Sequence, residues 1–308
     1  ADNNTAIGYE ALEENTTGTN NTAVGYKSGD AVTTGIENTF IGKSCGGGTT
    51  TGRSNVAIGY ETFLDATTGD YNTALGYEAL RANSTANYNV AVGKAALRAN
   101  LTGADNTAVG TNSLDANTTG YSNCAIGKDC LGVNTEGFKN TGMGVNALAS
   151  NIDGDYNTAF GEAALISNTT SNHTAVGYKA LFTQTTATNN TAVGSTAGEL
   201  ITTGSYNIAI GNNSLKKITT HNYNVAIGNN AMIYTAAHNN VAIGNEALEG
   251  SDGNSDSGGD NVAVGFRALE AKTTSWGSVA VGSTALNDVT TGNTNVGIGY
   301  AAGGEITT

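Results

Sequence analysis

The sequence predicts an all-β fold, a parallel β-solenoid (β-roll) of about eighteen 17-residue coils, and three observations predict it. The first is a glycine, preceded by a bulky apolar residue, that recurs at Gly8, Gly25, Gly42, Gly59, Gly76, Gly93, Gly110, Gly127, Gly144, Gly161, Gly177, Gly194, Gly211, Gly228, Gly244, Gly265, Gly282 and Gly299. Fourteen of the seventeen intervals are 17 residues, and the others are 16, 16 and 21, which is the signature of a stacked repeat. The second is that the residues leading into each glycine alternate with the period of a strand. The third is composition: 43 Gly, no Pro and 13 % charged residues in 308 suit a thin, repeated interior better than two globular domains. The chain reads as a single continuous array over 1–308, with an irregular insertion near 249–260.

Counting from the glycine as position 0 turns one chain into eighteen internal copies. Position −4 is Asn in sixteen of them, with His173 and Ser278 departing. Position −3 is Thr, Val or Ile except at Cys124; position −2 is Ala fifteen times, the exceptions being Phe40, Gly142 and Gly297; position −1 is always Val, Ile, Leu, Met or Phe. Asn-Thr-Ala-Val-Gly is therefore expected to be a short strand whose β-branched and bulky apolar residues form the core face, with Asn, Ala and Gly on the other. Strands of stacked coils lie about 4.8 Å apart, so Asn4, Asn21, Asn38, Asn55, Asn72, Asn89, Asn106, Asn123, Asn140 and Asn157 are expected to form a structural Asn ladder, amide upon amide.

Beyond the glycine, position +3 is always small, and position +4 is Leu in twelve copies and Gly in four (Gly29, Gly46, Gly198, Gly303). In the Gly copies position +7 is Val32, Thr49, Ile201 or Ile306, whereas Leu copies usually carry Asn or another polar residue there. One pocket filled from two alternative positions is what close packing requires. This limb fits either a second short strand or a single helical turn, the irregular strand being the closer fit. A Thr-Thr-Gly turn follows, as at Thr16-Thr17-Gly18 and Thr118-Thr119-Gly120, with a left-handed glycine expected.

So few large apolar residues per coil do not by themselves offset the backbone entropy of ordering it. Partner chains are therefore expected, and the Ala/Gly stripe, where another backbone can approach closely, is the expected contact of a homotrimer. The chain opens mid-pattern and no cap is evident at either end, which suggests a segment of a longer fibre or subunits stacked end to end in a filament.

The runs Asn-Thr-Ala-Ile-Gly-Tyr-Glu-Ala from Asn4, Asn-Val-Ala-Ile-Gly-Tyr from Asn55 and Asn-Val-Ala-Ile-Gly-Asn from Asn224 resemble the YadA-like head repeat of trimeric autotransporter adhesins. The whole chain is also similar to the NTAxGYxAL repeat arrays of phage tail-fibre and related fibre proteins. The resemblance implies a left-handed, trimeric β-roll that serves adhesion or forms a fibre shaft, located extracellularly, on a cell surface or on a virion. The YadA-like coil is about three residues shorter and lacks most of the Leu-x-x-Asn limb, so the fibre arrays are the nearer likeness.

No enzyme is expected, and no cofactor. A net charge of −13 disfavours nucleic acid, whose phosphates need basic patches, and no run of eighteen apolar residues offers membrane insertion. Asp252, Asn254 and Asp256 begin like a calcium loop, but Ser257 and Ala263 stand where such a loop has Gly and Glu. That makes them a weak metal candidate beside the reading of an acidic surface loop. His173, His221 and His238 lie in different columns and imply surface or turn roles. Cys45, Cys124 and Cys130 read as buried small hydrophobes. Tyr9, Tyr26, Tyr60 and Tyr77 follow the glycine and either stack along the solvent side or serve as surface-binding aromatics for a host glycan or protein receptor. The Asn-x-Thr sequons at Asn15 and Asn117 arise from the repeat itself. The Thr-Thr columns raise the lesser alternative of ice binding, although adjacent strand residues point to opposite faces.

Overall fold

The computed structural model describes residues 1–250, 258–272, 274–304 and 306; Asp252, Asn254 and Asp256 lie outside the described residues. Two compact units are present, Ala1–Tyr156 and Asn157–Thr308. Each is a parallel β-solenoid, and among the described residues the regular structure consists of one three-residue strand per coil at positions −3 to −1. In the first unit these are β1 (Thr5–Ile7), β2 (Thr22–Val24), β3 (Thr39–Ile41), β4 (Val56–Ile58), β5 (Thr73–Leu75), β6 (Val90–Val92), β7 (Thr107–Val109), β8 (Cys124–Ile126) and β9 (Thr141–Met143). In the second they are β10 (Thr158–Phe160), β11 (Thr174–Val176), β12 (Thr191–Val193), β13 (Ile208–Ile210), β14 (Val225–Ile227), β15 (Val241–Ile243), β16 (Val262–Val264), β17 (Val279–Val281) and β18 (Val296–Ile298).

Pairing is parallel and column-true: Thr5 lies opposite Thr22, Ala6 opposite Ala23 and Ile7 opposite Val24. Across the 21-residue interval Val241 still faces Val262, and across the 16-residue ones Thr158 faces Thr174 and Val225 faces Val241. Register thus belongs to the strand and its Asn and Gly, and length variation is absorbed outside it.

The strands face the opposite way from the sequence expectation. Ala23, Ala57 and Ala108 have no exposure, and Asn21, Asn38 and Asn106 are equally sealed, whereas Ile7, Leu75, Val90 and Phe160 are exposed. The alternation is real, but its small side is the inner one. A 17-residue coil closed by tight turns encloses a narrow interior, in which a methyl and a carboxamide fit on the strand wall while Leu enters from the opposite wall. The Ala/Gly stripe is therefore covered by its own coil and is not the surface that could meet a partner.

The limb is neither a strand nor a helical turn. Positions +2 and +4 are left-handed, as at Glu10 (φ 56°) and Leu12 (φ 54°) or Leu114 (φ 51°), so the chain runs through successive turns that no right-handed helix accommodates. It is nevertheless bonded from coil to coil, with Leu12 N donating to Ser28 O at 3.1 Å and Glu14 N to Asp30 O at 3.0 Å. A left-handed leucine costs roughly 1–2 kcal/mol. Full burial of Leu80, Leu97, Leu114 and Leu131, at about 1.5–3 kcal/mol each, offsets it.

Where Gly replaces that leucine the space is refilled as expected: a Cβ on Gly198 would lie 3.1 Å from Ile201 Cδ1, and one on Gly303 equally close to Ile306 Cδ1. Phe40 shows a second route. A Cβ on Gly46 would lie 2.6 Å from its ring and one on Gly29 2.9 Å, so two leucine vacancies accommodate the single large residue in the alanine column. Likewise Cys130 Sγ stands 2.5 Å from where a Gly142 Cβ would be.

The repeat-defining glycine is required twice over: Gly25 has φ +139°, and a Cβ there would lie 2.3 Å from Gly42 O. The turn glycine differs from the expectation, because Gly18 does not have a left-handed φ; it is needed because a Cβ would fall 2.3 Å from Gly35 O of the next coil.

Candidate functional site

Two rows of buried amides hold each coil in register. In the first, at position −4, Asn4 Oδ1 accepts Asn21 N at 2.8 Å, Asn89 Oδ1 accepts Asn106 N at 3.0 Å and Asn123 Oδ1 accepts Asn140 N at 2.9 Å. Most Nδ2 groups meanwhile donate to the turn that closes their own coil, as Asn21 does to Gly35 O and Asn157 to Thr170 O, both at 2.8 Å. Direct amide-to-amide bonds join Asn38 to Asn21, Asn55 to Asn38 and Asn72 to Asn55 at 3.1 Å. The expected ladder therefore exists, and its most regular bond is from backbone N–H to side-chain oxygen. Ser278 continues the row with a hydroxyl, taking Asn295 N at 3.2 Å while its own N–H reaches Asn261 Oδ1 at 2.9 Å.

The second row, at position +7, was not recognised as a ladder from sequence. Asn100 Nδ2 donates to Asn83 Oδ1 at 2.9 Å, Asn117 to Asn100 at 2.7 Å, Asn134 to Asn117 at 2.9 Å and Asn151 to Asn134 at 3.0 Å. Each also reaches the carbonyl three residues ahead, as Asn117 does to Gly120 O at 2.9 Å. The signal was present in the polar residue that accompanies most Leu coils, Ile218 and Val289 being the exceptions. Asn117 is fully buried, so its sequon lies inside the coil.

The outward strand face is the largest ordered feature left to solvent. Its two rows are positions −3 and −1: in the first unit Thr5, Thr22, Thr39, Val56, Thr73 and onward, beside Ile7, Val24, Ile41, Ile58, Leu75 and onward. Every member is exposed or half-buried, and the strand between the rows is sealed. Cys124 belongs to this face, half-buried rather than inside as expected, because it occupies an outward column. Cys45 and Cys130 are buried as expected, and burial pushes each thiol up to about 12.

Next to this face the tyrosines stack. Tyr9 lies on Tyr26 and Tyr60 on Tyr77, ring centroids 5.4 Å apart in both pairs. Lys43 fills the coil between, its Nζ 6.0 Å from the Tyr26 ring and 5.3 Å from Tyr60. Glu10 beside Tyr9 and Glu61 beside Tyr60 accept from the phenols and raise their pKa. Ring faces turned toward one another and hydroxyls bound to carboxylates favour the stacking role over sugar recognition, which needs a free face. Tyr71 and Tyr88 repeat the arrangement at 5.2 Å with Arg53 over Tyr71.

The remaining polar columns are bonded within the fold. Thr16 Oγ1 donates to Thr33 O at 3.0 Å, Thr33 to Thr50 O at 3.1 Å and Thr118 to Thr135 O at 3.0 Å, so the first Thr of each pair satisfies a carbonyl of the next coil, while the second, as at Thr17, Thr34 and Thr119, is exposed. Ion pairs step between coils: Lys27 to Glu10 at 2.9 Å, Arg98 to Asp115 at 3.0 Å and Arg267 to Glu246 at 2.6 Å. Glu246, Glu249 and Glu270 converge closely enough to hold a metal ion, but Arg267, also 3.6 Å from Glu270, already supplies the positive charge. An open notch of about 350 Å³ lies over Gly47 and Gly48, bordered by Lys27, Asp30 and Asp65; partial burial raises the Asp30 pKa.

His173 departs from its expected surface position: it is 1 % exposed because it replaces an Asn of the first ladder. His221 is half-buried and His238 exposed, their rings 4.8 Å apart. Among the described residues no helix is long and apolar enough to cross a membrane. No protein-family model matches this chain, and no curated protein matches it.

Proposed function

We propose that this chain is a structural segment of an extracellular fibre, of the adhesin or tail-fibre kind, whose copies associate through the outward strand face. The observation that carries the reading is that face: two parallel rows of β-branched and bulky apolar side chains, one pair per coil, running roughly 40 Å along nine strands at about 4.8 Å each. A surface row that is apolar in every coil, beside a row of mainly Thr and Val, is characteristic of contact with another macromolecule. The interior supports a mechanical role, since its polar side chains are committed to holding coils together. The trimeric, left-handed arrangement follows from the resemblance of the repeats to adhesin heads and fibre arrays. Burial of the alanine stripe supports taking the outward rows at positions −3 and −1, not that stripe, as the contact.

Sedimentation velocity at tens of micromolar tests the proposal, with a trimer expected. Val109→Lys combined with Ile126→Lys should give monomers with unchanged circular dichroism, because both side chains point out of the coil. Cys124 supplies a native reporter: a short bis-maleimide should join chains through it and leave Cys45 and Cys130 unreacted until the coil opens. A wild-type chain that stays monomeric at these concentrations rules the association out.

A further inference from the structure

The three histidines of the chain, His173, His221 and His238, all lie in the second unit, and two of them sit where the repeat has another residue for a structural reason. His173 occupies the first Asn ladder. In the same coil Gln184 replaces the Asn of the second ladder, and the two substitutions meet: Gln184 Nε2 lies 2.8 Å from His173 Nδ1 and 2.6 Å from Nε2. The ring also has Ala187 O at 3.0 Å and Thr170 Oγ1 at 3.1 Å from Nε2, and Asn190 N donates to Nδ1 at 3.2 Å.

These contacts define one protonation state. Ala187 O accepts only, so Nε2 carries the hydrogen and donates to it. Nδ1 must then be the lone pair that receives the Asn190 amide, while the Gln184 side-chain amide lies against both ring nitrogens. That lone pair holds the ladder together between the coil of β11 and the coil of β12, as an Asn oxygen does elsewhere. A proton on Nδ1 would point its N–H at the Asn190 N–H and break that bond. No charged group compensates: the polar neighbours from the coils on either side are Asn157, which accepts the His173 amide at 3.1 Å, Thr170, Gln184, Ala187 and Asn190, all neutral. Gln184 Oε1 is buried without a hydrogen-bond partner, so the pocket already lacks one donor in the neutral state.

Three coils along the chain, the second pair uses the same principle at the turn. His238 Nδ1 accepts Asn222 N at 3.0 Å, and the His221 ring packs edge-on against it, with its buried Nδ1 unpartnered. The His221 ring therefore faces His238.

We propose that the second unit carries a built-in acid release, in which protonation of His173, aided by that of His221, opens the coils of β11 and β12 while the first unit stays closed. Burial lowers the His173 pKa from 6.5 to about 4, and burial followed by the neighbouring His238 lowers that of His221. The sign follows directly. A base whose folded pKa is depressed lends its full stability above the unfolded value near 6.5, and loses it progressively as the pH falls toward the folded value. Linkage with 6.5 and about 4 favours the open form about 30-fold more at pH 5 than at pH 7.5.

Hydrogen exchange on the full chain at pH 7.5 and pH 5.0, expressed as protection factors so that intrinsic exchange cancels, tests this. The amides of 174–176 and 190–193 should lose about 30-fold in protection, and those of Val90–Val92 and Thr107–Val109 should hold theirs. The double variant His173→Asn with Gln184→Asn restores the residues that most coils carry at both positions, and should abolish most of the loss in β11 and β12. Imidazole NMR gives a readout independent of any variant: the His173 ring should remain neutral at pH 5.5. Equal loss in both units, no loss in either, persistence of the loss in the double variant, or a His173 ring titrating near 6.5 would each overturn the proposal.

Discussion

At Asn106 one side chain and its own amide make three bonds that define the repeat: N to Asn89 Oδ1 at 3.0 Å, Oδ1 from Asn123 N at 2.9 Å and Nδ2 to Gly120 O at 2.9 Å. Asn106→Ala leaves Gly120 O partnered, because Asn117 also donates to it, but orphans the buried Asn123 amide. The expected cost is about 1–3 kcal/mol, read from the midpoint of urea unfolding. Asn106→Asp keeps the acceptor and removes the donor while burying a carboxylate, so it should be the more damaging of the two at pH 7.5 and approach the alanine variant as the pH falls. Equal effects at both pH values would mean that the column does not hold the coil through hydrogen bonds. The Asn column was legible in sequence because only Asn offers a separate amide donor and carbonyl acceptor on so short a stem.

Within one coil, the fold requires only that a volume be filled and a carbonyl be bonded. The Leu114 coil uses Leu at +4 and Asn at +7; the Gly198 coil uses no side chain at +4 and Ile201 at +7. Gly198→Leu alone places a leucine where a Cβ is already 2.9 Å from Leu181 Cδ2 and 3.1 Å from Ile201 Cδ1. Overpacking of about 1–3 kcal/mol is expected, beyond the cost of a left-handed leucine. Adding Ile201→Asn converts the coil to the majority form and should recover much of the loss, giving a coupling of about 0.5–3 kcal/mol in a double-mutant cycle. Additivity of the two changes would show that they do not share a pocket. This exchange was readable from the columns, whereas the Phe40 solution was not, since it draws on glycines in its own coil and the previous one.

For the molecule as a whole, a net charge of −13 sets copies to repel one another, while the face proposed to join them is apolar. Association should therefore strengthen with salt, which screens exposed charge beyond about 10 Å at 0.1 M. Sedimentation velocity between 20 and 500 mM NaCl, both on the order of the range where that length changes severalfold, should show the larger species favoured at high salt. Dissociation by salt would instead place the contact on the ion-paired columns around Glu10, Lys27 and Arg98.

The sequence by itself determined the coil number, the parallel register and the positions of the strands, because a repeated backbone stacks like upon like and every column announces its own tolerance. It also determined the first ladder and the two-way filling of the leucine pocket. Only the tertiary structure decided which side of the strand is inside. Hydropathy favours burying Val and Ile, but the interior of a 17-residue coil admits mainly Ala and Asn on that wall, a residue as large as Phe40 fitting only where two leucines are missing, so steric size overrides apolar preference. The same closure put Cys124 outside, His173 inside and a second row of asparagines behind the leucines, none of which a column of letters distinguishes without knowing how much room the coil encloses.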